Sequence, residues 1–202
     1  MNNDLKNKFE IYYVNPNGVC APTYYARPAK LLDLMLRFNI KSLFDSGCKD
    51  RIWMRHNQFA ENGIEYTGGD ISSYMVAFCQ QEFTDVPVIL HDATTDAFPP
   101  VDLVFSSDVL IHLDNRNKLK FLNNIIDSNI PYLLMTCSGG PVLVNTDVEL
   151  SESGFPFAHV KWSMPPWNFP EPLARINDDE SDRTLNLWSL DQIKEAVMKV
   201  NL

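Results

Sequence analysis

Hydrophobic positions in the first two thirds of the chain alternate between stretches with helical spacing and short apolar runs. Apolar residues recur at helical spacing from Ala29 to Phe38, and the apolar run Ile40–Phe44 follows directly. The same alternation continues as far as Cys137. It predicts strands at 40–44, 65–68, 87–90, 102–105 and 132–137, and helices at 29–38, 51–61, 72–83 and 115–127. Strands separated by helices favour an α/β fold, with a doubly wound, mostly parallel sheet that carries helices on both faces.

The chain changes character after residue 137. Six of its 13 prolines lie between Pro141 and Pro172. A proline-rich stretch of this length inside a compact domain is typically a lid, a binding loop or disordered, and we predict a lid insertion over residues 139–172. The other segments are predicted to be an irregular start (1–28), a hairpin (173–177 with 184–188) and a last helix (191–200).

Composition and charge restrict the possible functions. The chain has 202 residues, 45% of them hydrophobic, which suits a single globular domain spanning residues 1–202. Its net charge of −9 and its scattered basic residues make a nucleic-acid partner unlikely. No apolar run has the length of a membrane span, and the polar start does not resemble a signal peptide. Four widely spaced cysteines without a Cys-x-x-Cys pair argue against a metal site and favour a reducing, cytoplasmic location.

Acidic residues close four consecutive strand-like runs. Asp45 precedes a turn that contains Gly47, and Asp70, Asp92 and Asp108 follow the next three runs. In an open parallel sheet the carboxyl ends of the strands line one crevice, which is where such sheets bind ligands. Asp70 follows Gly47 at roughly the 20-residue offset that separates a glycine turn from a ribose-binding acid. The ligand is therefore predicted to be a cofactor that contains adenosine.

At these residues the chain resembles the class I S-adenosylmethionine-dependent methyltransferases. Their first motif usually reads Asp-x-Gly-x-Gly, and here it reads Asp45-Ser-Gly-Cys-Lys49, with lysine where the family has its second glycine. The stretch Asp108–Leu113 is similar to the one that follows their fourth strand. Gly47–Met54 and Pro166–Pro172 resemble two motifs of a compact bacterial and viral subgroup, Gly-Cys-x-Asp-x-x-Trp-Met and Pro-(Phe/Trp)-Asn-Phe-Pro-x-Pro. The similarity extends over about residues 15–195, and the order and spacing of the motifs make it specific.

The resemblance implies a Rossmann-like fold with an antiparallel strand near the C-terminus and S-adenosyl-L-methionine as the cofactor. Asp70 would bind the ribose hydroxyls, and Asp92 would accept a hydrogen bond from the adenine amino group. Each has a simpler alternative: for Asp70 it is a cap on the next helix, and for Asp92 it is a turn residue. The full set of implied cofactor-binding residues is Asp45, Gly47, Cys48, Asp70, Ile71, Asp92, Ala93 and Ser107.

On the acceptor side, the resemblance implies Asp108 and His112 as catalytic residues after the fourth strand. Their i,i+4 spacing would place them on one helical face if that segment is helical, and a neutral imidazole is a suitable base near pH 7. The alternative is that His112 has only a structural role and that Asp108 caps a helix. Trp167 and Asn168 in the proline-rich stretch are predicted to bind the substrate, although its aromatic residues could instead pack the lid onto the sheet.

These observations predict a methyltransferase enzyme that uses S-adenosylmethionine to methylate an oxygen on a small molecule or a glycan. The alternative is a degenerate, non-catalytic protein of the same fold that acts by binding a ligand or another protein. Methylation of nucleic acid is the least favoured reading because of the acidic charge balance. The oligomeric state is left open.

Overall fold

The computed structural model describes residues 27–51, 58–139, 145–150, 156–177 and 182–200, together with the single residue Asn7. Most of the predicted irregular start lies outside the described residues, as does the middle of the predicted helix at 51–61. The described end of that predicted helix is a short 3-10 helix, Ala60–Asn62.

Four α-helices lie in the described residues: α1 (Arg27–Arg37), α2 (Ser73–Glu82), α3 (Asn115–Asp127) and α4 (Leu190–Val197). Three of them begin at a side chain that accepts a hydrogen bond from a backbone N–H of the first turn, as N-cap residues do. Ser72 accepts from Met75 N at 3.3 Å, and Asp114 accepts from Asn117 N at 2.7 Å. Ser189 caps α4 in a reciprocal capping box with Gln192. The helices predicted at 29–38, 72–83, 115–127 and 191–200 are therefore confirmed, with shifts of a few residues at their ends.

The described residues contain nine strands: β1 (Ser42–Ser46), β2 (Glu65–Asp70), β3 (Val88–Leu90), β4 (Leu103–Ser106), β5 (Tyr132–Cys137), β6 (Glu149–Leu150), β7 (Pro156–Phe157), β8 (Ala174–Asn177) and β9 (Thr184–Ser189). Seven of them form one sheet in the order β3-β2-β1-β4-β5-β9-β8. The first five strands of this order are parallel, and β9 runs antiparallel to β5 and to β8. This architecture confirms the predicted Rossmann-like, mostly parallel sheet with an antiparallel strand near the C-terminus.

The central strands are buried on both faces because helices cover both sides of the sheet. Phe44 points into one apolar cluster together with residues of α3 and α4, whereas its neighbour Leu43 points into a second cluster with residues of α1. Gly69 of β2 is needed where it packs on β1, because a Cβ there would lie 2.3 Å from the Phe44 ring. The packing of β1 against β2 therefore depends on a glycine at that position.

The described part of the predicted lid is bonded to the carboxyl end of β5. Ser138 N donates to Val160 O at 2.7 Å, and the Trp162 indole donates to Thr136 O at 2.8 Å. Strands β6 and β7 pair as a separate two-stranded sheet. None of the α-helices in the described part of the chain combines the length and the apolar character that crossing a membrane requires.

Asn145 organises the turn that follows Val160. Its side-chain oxygen accepts from Lys161 N at 2.7 Å, and its amide nitrogen lies 3.0 Å from each of three carbonyl oxygens, those of Lys161, Met164 and Pro165. Because the side chain is buried, these bonds face little competition from water.

We expect Asn145→Ala to loosen this turn, because Lys161 N and the carbonyl oxygens would lose their buried partner. Each lost bond is worth about 1 kcal/mol. Hydrogen exchange should therefore show faster exchange of the amides of residues 161–169, with the α3 amides unchanged. Thr146→Ala is the matched control at the exposed neighbouring position. Equal protection in the two variants would contradict this role of Asn145.

Candidate functional site

The parallel strands bring the predicted site residues to one edge of the sheet. Because β1 lies between β2 and β4, the turns that follow these three strands are neighbours, and the turn after β3 comes next to that of β2. The order of connection reverses at β1, which makes this edge the topological switch point where open α/β sheets bind ligands. The predicted residues Ile71, Ala93 and Ser107 all lie in these turns and are partly buried.

Asp70 joins two of these turns. Its carboxylate accepts from the backbone N–H of Lys49 at 3.0 Å and from that of Ser72 at 2.9 Å, and the residue is only 3% exposed. Ser72, and not Asp70, is the N-cap of α2, so the simpler alternative of a helix cap does not describe Asp70. A carboxylate can accept about four hydrogen bonds, so bonding to the backbone is compatible with binding a pair of hydroxyls.

The segment after β1 has left-handed backbone at Gly47, Lys49 and Arg51. Gly47 has φ of +83°, and a Cβ there would lie 2.3 Å from Val109 Cγ2, so both conformation and space require glycine. Lys49 has φ of 51°. Lysine therefore adopts the left-handed conformation at the position where the resembled family has its second glycine.

Asp45 is enclosed below this turn. It is 2% exposed, and the Tyr66 hydroxyl donates to its Oδ2 at 2.7 Å. Burial raises the pKa of Asp45 to about 7, against the lowering effects of Tyr66 and the nearby Arg51 guanidinium. The guanidinium carbon of Arg51 lies 4.7 Å from the centre of the Tyr66 ring, a cation–π distance. Asp45 thus belongs to a buried polar cluster behind the turn.

The Cys48 side chain also faces away from the strand-end edge. It is 1% exposed and packs with Val76, Cys79 and Val88. The Cys79 thiol lies 3.0 Å from Lys49 O. The hydrogen bond that the Cys48 thiol donates to Cys79, together with burial, raises the pKa of Cys48 well above its ordinary value. Any contact of Cys48 with a ligand in this arrangement would come from its backbone.

Asp92 stabilises the turn after β3. Its Oδ1 accepts from the backbone N–H of Thr94 at 2.9 Å and from the Thr94 hydroxyl at 2.7 Å. This is the simpler role that the sequence left open for Asp92. Asp92 follows β3, which pairs with β2, so it lies beside Asp70. Binding of adenine by Asp92 therefore stays a prediction.

Asp108 and His112 lie after β4 but do not share the face of an α-helix. Leu110–His112 is a 3-10 helix, and Asp108 precedes it with φ of 57°, so the i,i+4 argument for their proximity was wrong. The Asp108 backbone N–H donates to Thr136 Oγ1 at 2.9 Å, and its carboxylate lies 3.2 Å from Arg183 Nη1. Asp108 is therefore fixed by residues of β5 and of the turn before β9.

His112 is neutral at physiological pH. Its Nδ1 lies 2.6 Å from Pro156 O, and because a carbonyl only accepts, Nδ1 carries the hydrogen and Nε2 has the lone pair. The pKa of His112 is lowered to about 4, chiefly by burial and to a smaller extent by the positive charges of Lys49 and Arg183, while the hydrogen bond to Pro156 O and the charge of Asp108 act in the opposite direction. These charged groups therefore lie within electrostatic reach of one imidazole.

The two predicted substrate residues do not join this group. Trp167 is fully buried and packs against Trp162 with ring centres 5.4 Å apart. Asn168 is exposed, and its side-chain amide donates to the nearby Pro166 O at 3.3 Å. Their described contacts fit the alternative in which this segment packs onto the sheet. Substrate binding by Trp167 and Asn168 remains a prediction.

Sequence reasoning missed Arg183 and Thr136. Thr184 pairs with Cys137 at the carboxyl end of β5, so the residue before it stands at the strand-end edge. An antiparallel strand beside β5 must begin at that edge, and this rule could have identified Arg183 as a candidate. No sequence signal distinguishes Thr136 from the other residues of β5.

Comparisons with known proteins agree with this arrangement. Residues 44–126 match a family model described as a methyltransferase domain. The matched region contains the turns after β1, β2, β3 and β4. No curated protein sequence matches the chain significantly.

Solved structures of methyltransferases share the fold. The DhpI–SAH complex has a TM-score of 0.61 at 16% identity, with 92% of this chain and 94% of that chain covered. The 1,6-didemethyltoxoflavin-N1-methyltransferase of Burkholderia thailandensis, with bound 1,6-didemethyltoxoflavin and S-adenosylhomocysteine, has a TM-score of 0.66 at 13% identity over 91% and 85%. The magnesium protoporphyrin IX methyltransferase of Synechocystis PCC 6803, with bound SAM, has a TM-score of 0.60 at 13% identity over 91% and 95%. At these identities the likeness concerns the fold.

We expect the carboxyl of Asp45 to make folding stability fall as pH rises. Its pKa is about 7 in the folded chain and near 3.8 when unfolded, so between these values the folded state holds a proton that the unfolded state has lost. The free energy of unfolding should therefore lose about 1.4 kcal/mol per pH unit from this group. Asp45→Asn keeps an acceptor for Tyr66 and removes this loss.

Urea unfolding of the native chain and Asp45→Asn at pH 5, 6 and 7 measures the effect. The advantage of the variant should grow with pH, and a constant difference would show that Asp45 is ionised throughout. The pKa of His112 has the opposite influence below its unfolded value, but it is common to both chains and cancels. Asp85→Asn, at an exposed position, is the control for a simple change of charge.

Proposed function

We propose that this protein is a methyltransferase that uses S-adenosyl-L-methionine to methylate an oxygen atom of a small molecule or a glycan. The observation that carries the proposal is the Asp70 carboxylate at the switch point, bonded to the turns after β1 and β2. An acid at the end of the second strand, beside a glycine turn, is the arrangement that binds a ribose. The methyltransferase family match over residues 44–126 and the complexes of similar fold with bound SAM or SAH support the same conclusion.

The residues at the strand ends have the chemistry to hold this cofactor. Asp70 would accept hydrogen bonds from the ribose hydroxyls and Asp92 one from the adenine amino group. Ile71, Ala93 and Ser107 would line the pocket between the turns, and Asp45, Gly47 and Cys48 would shape the turn after β1. When bound, the cofactor supplies an electrophilic methyl group on a sulfonium centre.

Lys49 does not argue against cofactor binding. The residue adopts the left-handed conformation that a glycine would supply, and its backbone N–H bonds to Asp70. A lysine in this conformation costs about 1 kcal/mol relative to glycine but leaves the path of the backbone unchanged. The conformation of Lys49 therefore removes one of the reasons for the degenerate, non-catalytic alternative.

Asp108 and His112 are our candidates for the acceptor side of the site. Asp108 is held by Thr136 and Arg183, and the Nε2 lone pair of His112 could accept a proton from an acceptor hydroxyl. The structure of similar fold with a bound small molecule, 1,6-didemethyltoxoflavin, supports an acceptor of that size. A glycan acceptor and roles for Trp167 and Asn168 remain predictions.

Titration calorimetry with S-adenosylmethionine and S-adenosylhomocysteine tests the proposal. We expect saturable binding to the native chain and a loss of about 10- to 100-fold in affinity for Asp70→Ala, because hydrogen bonds to a charged acceptor are worth about 1.5–3 kcal/mol. Asp70→Asn keeps one acceptor oxygen and should lose less.

The exposed Asp85→Ala provides the matched control, since it removes the same charge without touching the strand-end turns. Circular dichroism of each variant would exclude unfolding as the cause of weaker binding. A native chain that binds neither ligand would refute the enzyme and restore the non-catalytic alternative.

A further inference from the structure

Two free cysteine thiols lie in contact behind the turn after β1. Cys48 belongs to that turn, and Cys79 lies in α2, which follows the turn after β2. Their side chains pack together with Val76 and Val88 in one small apolar cluster. The Cys48 thiol donates a hydrogen bond to Cys79, and the Cys79 thiol donates in turn to Lys49 O at 3.0 Å. The two sulfur atoms are therefore direct neighbours.

The Cys79 thiol helps to hold Lys49 in its left-handed conformation. The backbone N–H of Lys49 donates to the Asp70 carboxylate at 3.0 Å, and its carbonyl oxygen accepts from Cys79. These two bonds fasten the peptide groups on both sides of the Lys49 Cα. A left-handed residue other than glycine is strained, so it keeps this conformation only while such contacts hold it. The bond to Cys79 therefore supports the bond between Lys49 and Asp70.

The surroundings leave Cys48 little room to move. A Cβ on Gly68 would lie 3.0 Å from Cys48 Sγ, and the Cys48 N–H donates to Gly69 O at 3.1 Å. Cys79 is fixed in α2, which Ser72 caps. A disulfide has an S–S bond of about 2.0 Å, which is shorter than any contact between two thiols. Closing such a bond must therefore displace the turn after β1, α2 or both.

We propose that Cys48 and Cys79 form a reversible disulfide that lowers the affinity of the neighbouring strand-end site for S-adenosylmethionine. This proposal rests on the proposed methyltransferase function. Oxidation removes both thiol hydrogens, so the Lys49 carbonyl loses its donor while the new bond draws the turn and α2 together. Lys49 then leaves its left-handed conformation, and its N–H no longer orients Asp70, the residue proposed to bind the ribose.

The oxidant that we assign to this reaction is hydrogen peroxide. Both side chains are buried, so the oxidant must be a small, neutral molecule that enters during a local opening of α2. Cys79 reacts first, because the hydrogen bond from Cys48 lowers its pKa and the Arg51 guanidinium also favours its thiolate, although burial opposes both effects.

The reaction takes place in two steps. The Cys79 thiolate attacks one peroxide oxygen and becomes a sulfenic acid, and the hydroxide that leaves takes up the proton lost by the thiol to form water. The Cys48 sulfur then attacks the sulfenic sulfur, and its proton leaves with the hydroxyl group as a second water. Two thiols and one peroxide thus give one disulfide and two waters, and an external thiol reverses the change by exchange.

The test compares the full chain after reduction with dithiothreitol and after treatment with hydrogen peroxide, which is removed before any titration. Trypsin leaves the four cysteines of the chain in four separate peptides, so mass spectrometry of the digest identifies which two are joined. We expect a disulfide between the peptides 42–49 and 56–116. Calorimetry should show at least a tenfold loss of affinity for S-adenosylhomocysteine in the oxidised chain, and dithiothreitol should restore the affinity.

Cys79→Ser is the main control, because its hydroxyl can still donate to the Lys49 carbonyl but cannot form the disulfide. The affinity of this variant should be the same before and after peroxide, which excludes oxidation of methionine or of other residues as the cause. Cys137→Ser removes a buried cysteine outside the pair and should keep the sensitivity of the native chain.

Three results would overturn the proposal and leave the proposed function standing, provided that the reduced chain binds S-adenosylhomocysteine. They are the absence of the expected disulfide after peroxide, an unchanged affinity in the chain that contains it, and an equal loss of affinity in Cys79→Ser. A reduced native chain that does not bind S-adenosylhomocysteine would overturn both the proposed function and this regulation.

Discussion

The position of β1 between β2 and β4 is the constraint on which the rest of the structure depends. Both neighbours pair with it in parallel, so the turns that end the three strands must meet at one edge. The fit is tight because the Phe44 ring fills the space over Gly69, and Gly47 is enclosed by Val109. These contacts leave little freedom in the two turns that carry the candidate cofactor site, so a ligand would meet a preformed edge.

Three buried carboxylates at this edge are stabilised in three different ways. Burial raises the pKa of Asp45 to about 7, so below that pH the residue keeps its proton and avoids the cost of a buried charge. Asp70 is held by backbone N–H donors, and Asp108 by the guanidinium of Arg183. The three environments therefore differ in what surrounds the carboxyl group: a tyrosine hydroxyl, backbone N–H groups and a guanidinium. Residue type alone would not separate them.

The proposed acceptor side is assembled from parts of the chain that are far apart in sequence. Asp108 bonds to Thr136, His112 to the carbonyl of Pro156, and Arg183 reaches Asp108 from the last hairpin. The proline-rich segment contributes through its backbone, while its tryptophans pack into the core. The described contacts of Trp162 and Trp167 attach this segment to the sheet.

The sequence by itself determined the strand–helix alternation, the parallel sheet with an antiparallel strand near its end, and the placement of Asp70 and Asp92 at strand ends. These features follow from periodicity and turn residues, which are local properties of the chain. Only the tertiary structure decided that Asp45, Cys48 and Trp167 face inward and that Arg183 joins Asp108. Burial and contacts across strands depend on which segments become neighbours, and no local pattern records that. The conformation of Lys49 also depends on the tertiary structure, because the hydrogen bond from its backbone N–H to Asp70 forms only when β1 and β2 are paired.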